Sequence, residues 1–502
     1  MRKVFKHILV LGTVVYSLAS CDLNRNPISG FSELTVGQKT DTSSVKYATR
    51  AEMLAQYQSM YNSITNSQEG WYLDFLVYTE THADNAYCGT SGSELTSLEQ
   101  QTQDGTNKNI ERDWNSFLGQ ITTANRIICN IDSVPDPALT SAERVQWKAE
   151  ARIWRAWMLF DMVRLWGDVP VVTQETPDIT SDNIEQIYPL LYPSRQPVAK
   201  VYEQIIADLT EGEKNAPNID AVNKFVLSKT VARALLAKVY AEKPMRDYAK
   251  VIDYCSKVQA DGLSLVAYTD LFAVNAAKTD CKLRNSAESI FEIVYPQGSG
   301  NWVTWMFGID LCDPSSTYNW AKWITPSRDL IKAFDNEGDA IRENEAIVWG
   351  QPSWSNHYPS SHYPFMYKTR SKYNSIIKLR LADILLLKAE AYVEQNSLAE
   401  AAALVDQIRS RVNLSGLSST TKASPDLMRE AVLKERRLEL AFEGQRWFDL
   451  LRTGKVFNVM NTLNARDAGR AKMATVNDKN ILLPVPQTQL DKNPSLTQNE
   501  GY

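Results

Sequence analysis

Histidine is nearly absent from this 502-residue chain: His7, His82, His357 and His362 are the only four. His357 and His362 stand five apart with Pro359 between them, which is poor geometry for two zinc ligands on one helix. GxSxG, HExxH, P-loop and GxGxxG patterns are missing too, so no residue is marked as a nucleophile beside its base. The formal net charge is −5 and no basic block is long enough to follow a phosphate backbone, which argues against nucleic acid. The six cysteines include no CxxC and no clustered spacing, so neither a zinc cluster nor a full disulfide framework is indicated. Nowhere does an apolar run approach the ~20 residues of a membrane-spanning helix.

The longest apolar run is at the start. Arg2, Lys3 and Lys6 precede an eleven-residue, mostly apolar stretch, Ile8 to Leu18, which suits the h-region of a secretory leader. It ends Leu18-Ala19-Ser20-Cys21, which resembles the bacterial lipobox, in which the cysteine becomes the acylated first residue of the mature chain. The expectation is a lipoprotein signal peptide over 1–20, lipid attachment at Cys21 and a tether over 21–45. A plain signal peptide with a chance cysteine is the alternative. Removing 1–20 takes away three basic groups and no acid, moving the net charge from −5 to −8.

From residue 46 the chain reads as one body, mainly α. Apolar residues recur at helical spacing over 46–64, 111–131, 141–166, 198–215, 227–243, 246–260, 376–395, 398–412 and 425–452. Thr140-x-x-Glu143 and Ser397-x-x-Glu400 are capping-box starts, and Ser424-Pro425 a cap followed by proline at the first helical position. The 376–395 and 398–412 segments, parted by a short turn, have the size and small/large alternation of a tetratricopeptide-like hairpin. The scaffold is thus expected over 46–64, 111–260 and 376–452. Loop-rich binding regions are expected at 66–110 and 262–375, where Gly, Ser, Asn, Asp and aromatics interrupt every period.

What the chain has in plenty is tryptophan, and six of the 13 (Trp302, Trp305, Trp320, Trp323, Trp349, Trp354) fall within the second loop region. A pyranose ring offers an apolar CH face and a rim of hydroxyls, so it stacks on a rigid aromatic plate while Asn, Asp, Gln or Arg reads the rim. Trp302, Trp305, Tyr318, Trp320 and Trp323 are the main candidates. The three-residue steps 302/305 and 320/323 suit a helical turn, so one of each pair packs inward on the competing reading. Gly70-Trp71-Tyr72 and Asp84-Asn85 form a second candidate group. Trp349, Trp354, Tyr358 and Tyr363, punctuated by prolines, form a third and lower-ranked one. Trp147, Trp154, Trp157, Trp166 and Trp447 sit on helical stripes and read as core, and Trp114 joins them.

The acidic segment Asp335-Asn-Glu-Gly-Asp339 is a weak Ca²⁺ candidate whose spacing misses the EF-hand loop, so no metal or cofactor is expected. Asp339-x-x-Arg342 reads as a structural pair, and Glu435, Arg436, Arg437, Glu439, Glu443 and Arg446 as a structural ion network. A glycosidase would need two carboxylates ~5–9.5 Å apart, and the sequence positions no such pair.

Cys21-Asp-Leu-Asn24, Arg155-Ala-Trp-Met-Leu-Phe-Asp-Met-Val-Arg-Leu-Trp-Gly-Asp-Val-Pro170 and Leu379-Arg-Leu-Ala-Asp-Ile-Leu-Leu-Leu-Lys-Ala-Glu-Ala-Tyr392 resemble the SusD/RagB family. So do Glu435-Arg-Arg-Leu-Glu-Leu-Ala-Phe-Glu-Gly-Gln-Arg-Trp-Phe-Asp-Leu-Leu-Arg452 and the ending from Pro484 to Tyr502. The resemblance implies a surface-exposed, lipid-anchored outer-membrane protein of Bacteroidota, built of four tetratricopeptide-like helix pairs under a variable loop-rich lobe. It implies a non-catalytic partner of a SusC-like TonB-dependent transporter that captures oligosaccharide or, in some members, peptide. It also implies that the segment after the first helix runs towards the ligand face, making Trp71 and Tyr72 an opposite wall and Asp84 and Asn85 hydroxyl readers. A glycan ligand, neutral given the mature charge of −8, is the leading expectation. A RagB-like peptide-binding lid is the runner-up and a surface glycosidase the third reading.

Overall fold

The computed structural model describes residues 45–176, 179–295, 300–301, 304–318 and 323–502, with the side chains of Trp305 and Phe307 outside the description. The leader, Cys21 and most of the tether lie outside the described residues. Two compact units emerge, and the larger, Lys46–Glu175 with Tyr192–Tyr502, holds the body. The described part of the smaller unit carries one helix, Ile184–Leu191, preceded by Asn183, whose side chain accepts from the Thr180 N–H at 2.8 Å.

The body is mainly helical, as expected. Its principal helices are α1 (Arg50–Asn66), α2 (Ser93–Glu99), α3 (Lys108–Asn130), α4 (Ser141–Trp166), α5 (Val198–Asn215), α6 (Lys229–Ala241), α7 (Tyr248–Ala260), α8 (Arg328–Glu337), α9 (Ala340–Ala346), α10 (Leu381–Glu394), α11 (Leu398–Arg411), α12 (Pro425–Glu439) and α13 (Arg446–Thr453). Sequential neighbours pack in pairs, α3 on α4, α4 on α5, α6 on α7 and α10 on α11, and α7 on α10 joins two of the pairs. Thr140 and Glu143 close a complete capping box on α4, and Gly167 ends it at φ 73°. The predicted core tryptophans Trp114, Trp147, Trp154, Trp157, Trp166 and Trp447 are all buried.

Three expectations need correcting. The 66–110 segment is not a loop: Glu69–Thr81 is a continuous run of π- and α-turns, followed by α2 and the start of α3. Residues 70–89 are buried almost without a break, apart from Tyr72. A helix buried all round has no polar stripe, so its period does not show in the sequence. Next, 376–380 is a strand, and the helix begins only at Leu381. Stiff Ile376 and Ile377 suit that extended start. Finally, 425–452 is two helices, parted where Phe442 and Gly444 adopt φ 62° and 76°. Ser397 does head α11, but its side chain makes no capping bond.

Eight short strands form four antiparallel pairs among the described residues: β1 (Ala86–Cys88) with β5 (Ile324–Pro326), β2 (Val169–Pro170) with β3 (Arg195–Gln196), β4 (Ser289–Ile293) with β8 (Ile376–Arg380), and β6 (Ile347–Gly350) with β7 (Tyr363–Met366). The β4–β8 pair ties the 262–375 region to the scaffold through a buried charge network. Arg380 reaches Glu288 at 2.8 Å and Glu439 and Glu443 at 2.6 Å, while Arg342 reaches Glu435 at 2.7 Å and pairs with Asp339. These acids are thereby committed to arginines, as the sequence suggested, and Glu439 is held well below the usual carboxylate range against burial.

Candidate functional site

The β6–β7 hairpin is the base of an aromatic lobe. Its register pairs Ile347 with Met366 and Gly350 with Tyr363, so the 351–362 connection crosses its open end. Tyr87, Tyr358, Tyr363 and Phe365 form a buried floor, on which Tyr318, Trp349 and Trp354 lie half-buried. Tyr318 stacks on Phe365 with centroids 4.2 Å apart, and Trp354 meets Tyr363 edge-on at 4.8 Å. Trp349 carries His362 flat against it at 4.0 Å. Two glycines permit this closeness. A Cβ on Gly350 would fall 2.8 Å from the Tyr318 ring, and one on Gly308, at φ 98°, 2.7 Å from Phe365.

Around these rings the lobe is polar and open: Gln351, Ser353, Ser355, Asn356, Ser361 and His362 are all exposed. Arg328 lies over Tyr358 at 4.0 Å, and the His357 ring stacks on Tyr87 at 4.8 Å while its Nε2 meets the Cys88 carbonyl at 2.6 Å. Tyr358 donates to the Pro326 carbonyl at 2.8 Å. Burial raises the Tyr87 and Tyr363 hydroxyls to about 12, so the floor is uncharged at neutral pH. The indole N–H of Trp354 is buried without a partner among the described residues. Nearby carboxylates are engaged: Asp310 accepts from the Cys312 N–H at 2.9 Å, Asp313 from Ser315 at 2.7 Å, and Glu345 pairs with Arg370.

The structure divides the sequence candidates. Tyr318 and Trp354 belong to the lobe. Trp302 and Trp320 lie outside the described residues, as does the side chain of Trp305, whose backbone sits in the short helix Thr304–Phe307. Of the described residues near them, Asn301 donates its N–H to the Lys372 carbonyl at 2.6 Å and Leu311 its N–H to that of Arg370 at 2.9 Å. Trp323 is half-buried and donates its indole N–H to Asp74 at 2.7 Å.

The opposite wall is not there. Trp71 is 3% exposed, donates to Asp161 at 2.9 Å and sits edge-on to Trp154 and Trp157, inside the helical core. Asp84, fully buried, takes two bonds from Arg446 at 2.7 and 2.9 Å, with Arg437 and Arg466 close by. These arginines hold its carboxyl far below the usual range despite burial. Asn85 donates to Glu80 at 2.7 Å and accepts from Arg437 at 2.8 Å. Tyr72 is half-buried, its hydroxyl bonded to Thr369 at 2.7 Å and raised by burial to about 12. None of the four presents a free polar group to a sugar.

Conversely, Trp349 and His362 matter more than their sequence context suggested. The signal was the alternation of Ile347-Val-Trp-Gly350 and Tyr363-Pro-Phe-Met366 on either side of a Ser/Asn/Pro-rich connection, which marks a hairpin. No group of three or more His, Cys, Asp or Glu side chains is placed to hold a metal among the described residues, and Asp339 of the 335–339 segment is spent on Arg342. No helix among the described residues is long and apolar enough to cross a membrane.

Sequence and fold comparisons agree with one another. The model of the SusD family matches residues 354–502, and a second, described as starch-binding associating with outer membrane, matches 36–241. SusD-like protein P38 of Formosa agariphila is 27% identical over 80% of this chain and 83% of its own length. SusD-like protein P2 of the same organism is 25% identical over 99% and 100%. Among solved structures, a SusD homologue from Bacteroides thetaiotaomicron superposes with TM-score 0.74 at 21% identity, covering 92% of this chain and 99% of that one. A laminarin-binding SusD-like protein does so with TM-score 0.68 at 23% identity, covering 91% and 100%. SusD-type family models thus match the chain towards both of its ends, and the fold of the SusD superfamily is shared along nearly its whole length.

Proposed function

We propose that this is a cell-surface glycan-binding lipoprotein, anchored at Cys21 to the outer membrane and facing outward. It captures oligo- or polysaccharide and delivers it, chemically unchanged, to a SusC-like TonB-dependent transporter. The observation that carries the reading is the aromatic lobe: the Trp349–His362 stack, Tyr318 on Phe365, and Trp354 gather on one hairpin under an exposed rim of amide, hydroxyl and imidazole groups. Flat, uncharged rings bind the CH face of a pyranose, and short polar side chains around them read its hydroxyls. Trp302, Trp305 and Trp320 are proposed as further ligand contacts on the sequence reading alone.

Two similarities support this reading: a matched family described as starch-binding, and a structural neighbour that binds laminarin. Calorimetry of the leaderless protein against laminarin, starch and a panel of neutral glycans, with a peptide mixture as control, tests it. The expected result is saturable binding to at least one glycan with no reducing ends released. Binding of peptides alone would favour the peptide-capturing alternative, and release of reducing ends a glycosidase. Co-purification of the acylated chain with a TonB-dependent transporter tests the partner.

A further inference from the structure

Lys378 of β8 lies between two small cavities in the body, and the glycan reading uses neither. Each has a volume of about 20 Å³, room for a molecule little larger than water and too little for a sugar ring. Tyr72, Phe272, Ser375 and Phe442 help to bound the first, and Trp157, Arg164 and Lys238 the second. Phe75, Lys378 and Glu443 border both.

The charges around these cavities are matched, with one exception. Arg164 pairs with Asp161, Lys238 with Asp383 at 2.6 Å, and Lys368 with Glu443 at 2.5 Å, an acid that Arg380 also holds. Lys378 has no carboxylate in salt-bridge contact among the described residues. Its Nζ donates to the Trp71 carbonyl at 2.8 Å and lies over the Trp71 and Phe75 rings. The Ser375 hydroxyl, which borders the first cavity, is buried without a hydrogen-bond partner among the described residues. Buried donors are normally satisfied, so an unpartnered hydroxyl and an unpaired amine on one cavity call for an acceptor there.

We propose that Lys378 is a modification site at which the side-chain amine takes up carbon dioxide, the resulting carbamate occupying the cavity beside Ser375. The Nζ lone pair attacks the carbon of carbon dioxide, one C–O π pair moves onto oxygen, and a proton leaves Nζ for solvent. The products are an N-carboxylate and one proton, with no oxidant or reductant. The nitrogen keeps one N–H, enough to retain the bond to the Trp71 carbonyl, and the Ser375 hydroxyl donates to the new carboxylate. The charge at this position passes from positive to negative. Arg164 and Lys238, which oppose an ammonium there, therefore favour the product, while Asp161 opposes it but is already paired with Arg164. Only the uncharged amine reacts. Burial holds Lys378 at about 7, so that form is abundant at neutral pH, where an ordinary lysine is almost entirely ammonium.

Carbon NMR of the protein at pH 7.5, equilibrated with isotopically enriched bicarbonate as the source of carbon dioxide, tests it. A carbamate resonance is expected beyond that of any α-amine, and it should vanish in Lys378→Met. Ser375→Ala removes one hydrogen bond to an ionised group and is expected to weaken the apparent affinity for carbon dioxide about tenfold. Trapping the carbamate as its ester with a trialkyloxonium salt, followed by peptide mass spectrometry, should place the label on Lys378. That measurement needs only the wild-type chain, so it decides the site even where the methionine variant does not fold. Absence of the resonance at saturating bicarbonate refutes the proposal and leaves water as the occupant of the cavity. A label on another lysine in place of Lys378 refutes it too, and wild-type affinity in Ser375→Ala would overturn the placement beside Ser375.

Discussion

His362 lies flat on Trp349, the two rings 4.0 Å apart and within 1° of parallel. The pair forms a double plate whose histidine side is exposed while the indole is half-buried. A sugar docking at this proposed site would meet a ring already held in place, which lowers the entropic cost of ordering the site.

Trp349→Ala removes the support of that plate and is expected to weaken glycan binding about tenfold, in line with the ~0.5–1.5 kcal/mol of an aromatic pair plus lost contact area. Trp354→Ala should act comparably. His362→Ala should cost only a few-fold and His362→Phe should restore it, because stacking area matters here and a proton does not. Calorimetry against whichever glycan the wild type binds decides, and wild-type affinity in both tryptophan variants would place the site elsewhere.

The buried Asp84 is the hub of a different kind. It faces Arg446, Arg437 and Arg466 with no exposure of its own, joining the helical run 69–81 to the C-terminal helices. Asp84→Ala leaves cationic side chains unmatched in the interior, a change that typically costs about 3–5 kcal/mol. A fall of that size in unfolding free energy, read from the urea midpoint, is expected. Glycan affinity of the folded fraction should be unchanged, because Asp84 does not face the lobe.

That residue also shows why part of the site was illegible in the sequence. Asp84 and Asn85 have the chemistry of hydroxyl readers, and only the fold reveals that arginines over 350 residues away absorb it. Trp71 was misplaced for a related reason: glycine and threonines hide a helix that is buried on every side. The scaffold was legible because its helices are amphipathic and punctuated. Thr140 with Glu143 and Ser424 with Pro425 mark starts that the structure keeps to the residue. The 262–375 region, expected to be loop-rich, carries α8 and α9, and its β6–β7 hairpin and the Trp349–His362 stack depend on pairing across 12 residues of connection, which local periodicity does not report.

Close helix contact yields a third expectation. A Cβ on Gly212 of α5 would fall 2.4 Å from Cγ1 of Ile153 on α4, with Ala232 of α6 on its other side. Gly212→Ala gains helix propensity yet must push α5 away from its most extensive partner. Overpacking of this kind costs roughly 1–3 kcal/mol. Thermal unfolding should show a net loss, and the double variant with Ile153→Val should recover part of it.

Two buried basic groups contribute to the dependence of stability on pH, and both act in one direction. Burial pushes the Lys378 ammonium down to about 7, helped by Arg164 and Lys238 and opposed by Asp161. Its Nζ donates to the Trp71 carbonyl at 2.8 Å and lies over the Trp71 and Phe75 rings at 4.3 and 4.4 Å, with no carboxylate in salt-bridge contact among the described residues. Burial likewise pushes His82, packed on Trp447 with its Nδ1 at the Leu98 carbonyl, down to about 4. Between the folded and unfolded values of each group the unfolded chain binds more protons, so stability rises with pH. For Lys378 that window runs from about 7 to the ordinary lysine value, and for His82 from about 4 to the ordinary histidine value. Across its window Lys378 is worth on the order of 5 kcal/mol and His82 on the order of 3 kcal/mol. Lys378→Met, which keeps the apolar stem and removes the charge, is expected to raise stability at pH 7 and to flatten the rise between pH 7 and 10. His82→Gln should flatten the fall below pH 6 and leave the alkaline limb intact. Denaturant titrations at pH 4.5, 6, 7.5 and 9 separate the two, and an unaltered slope in either variant would mean that the corresponding group does not drive it.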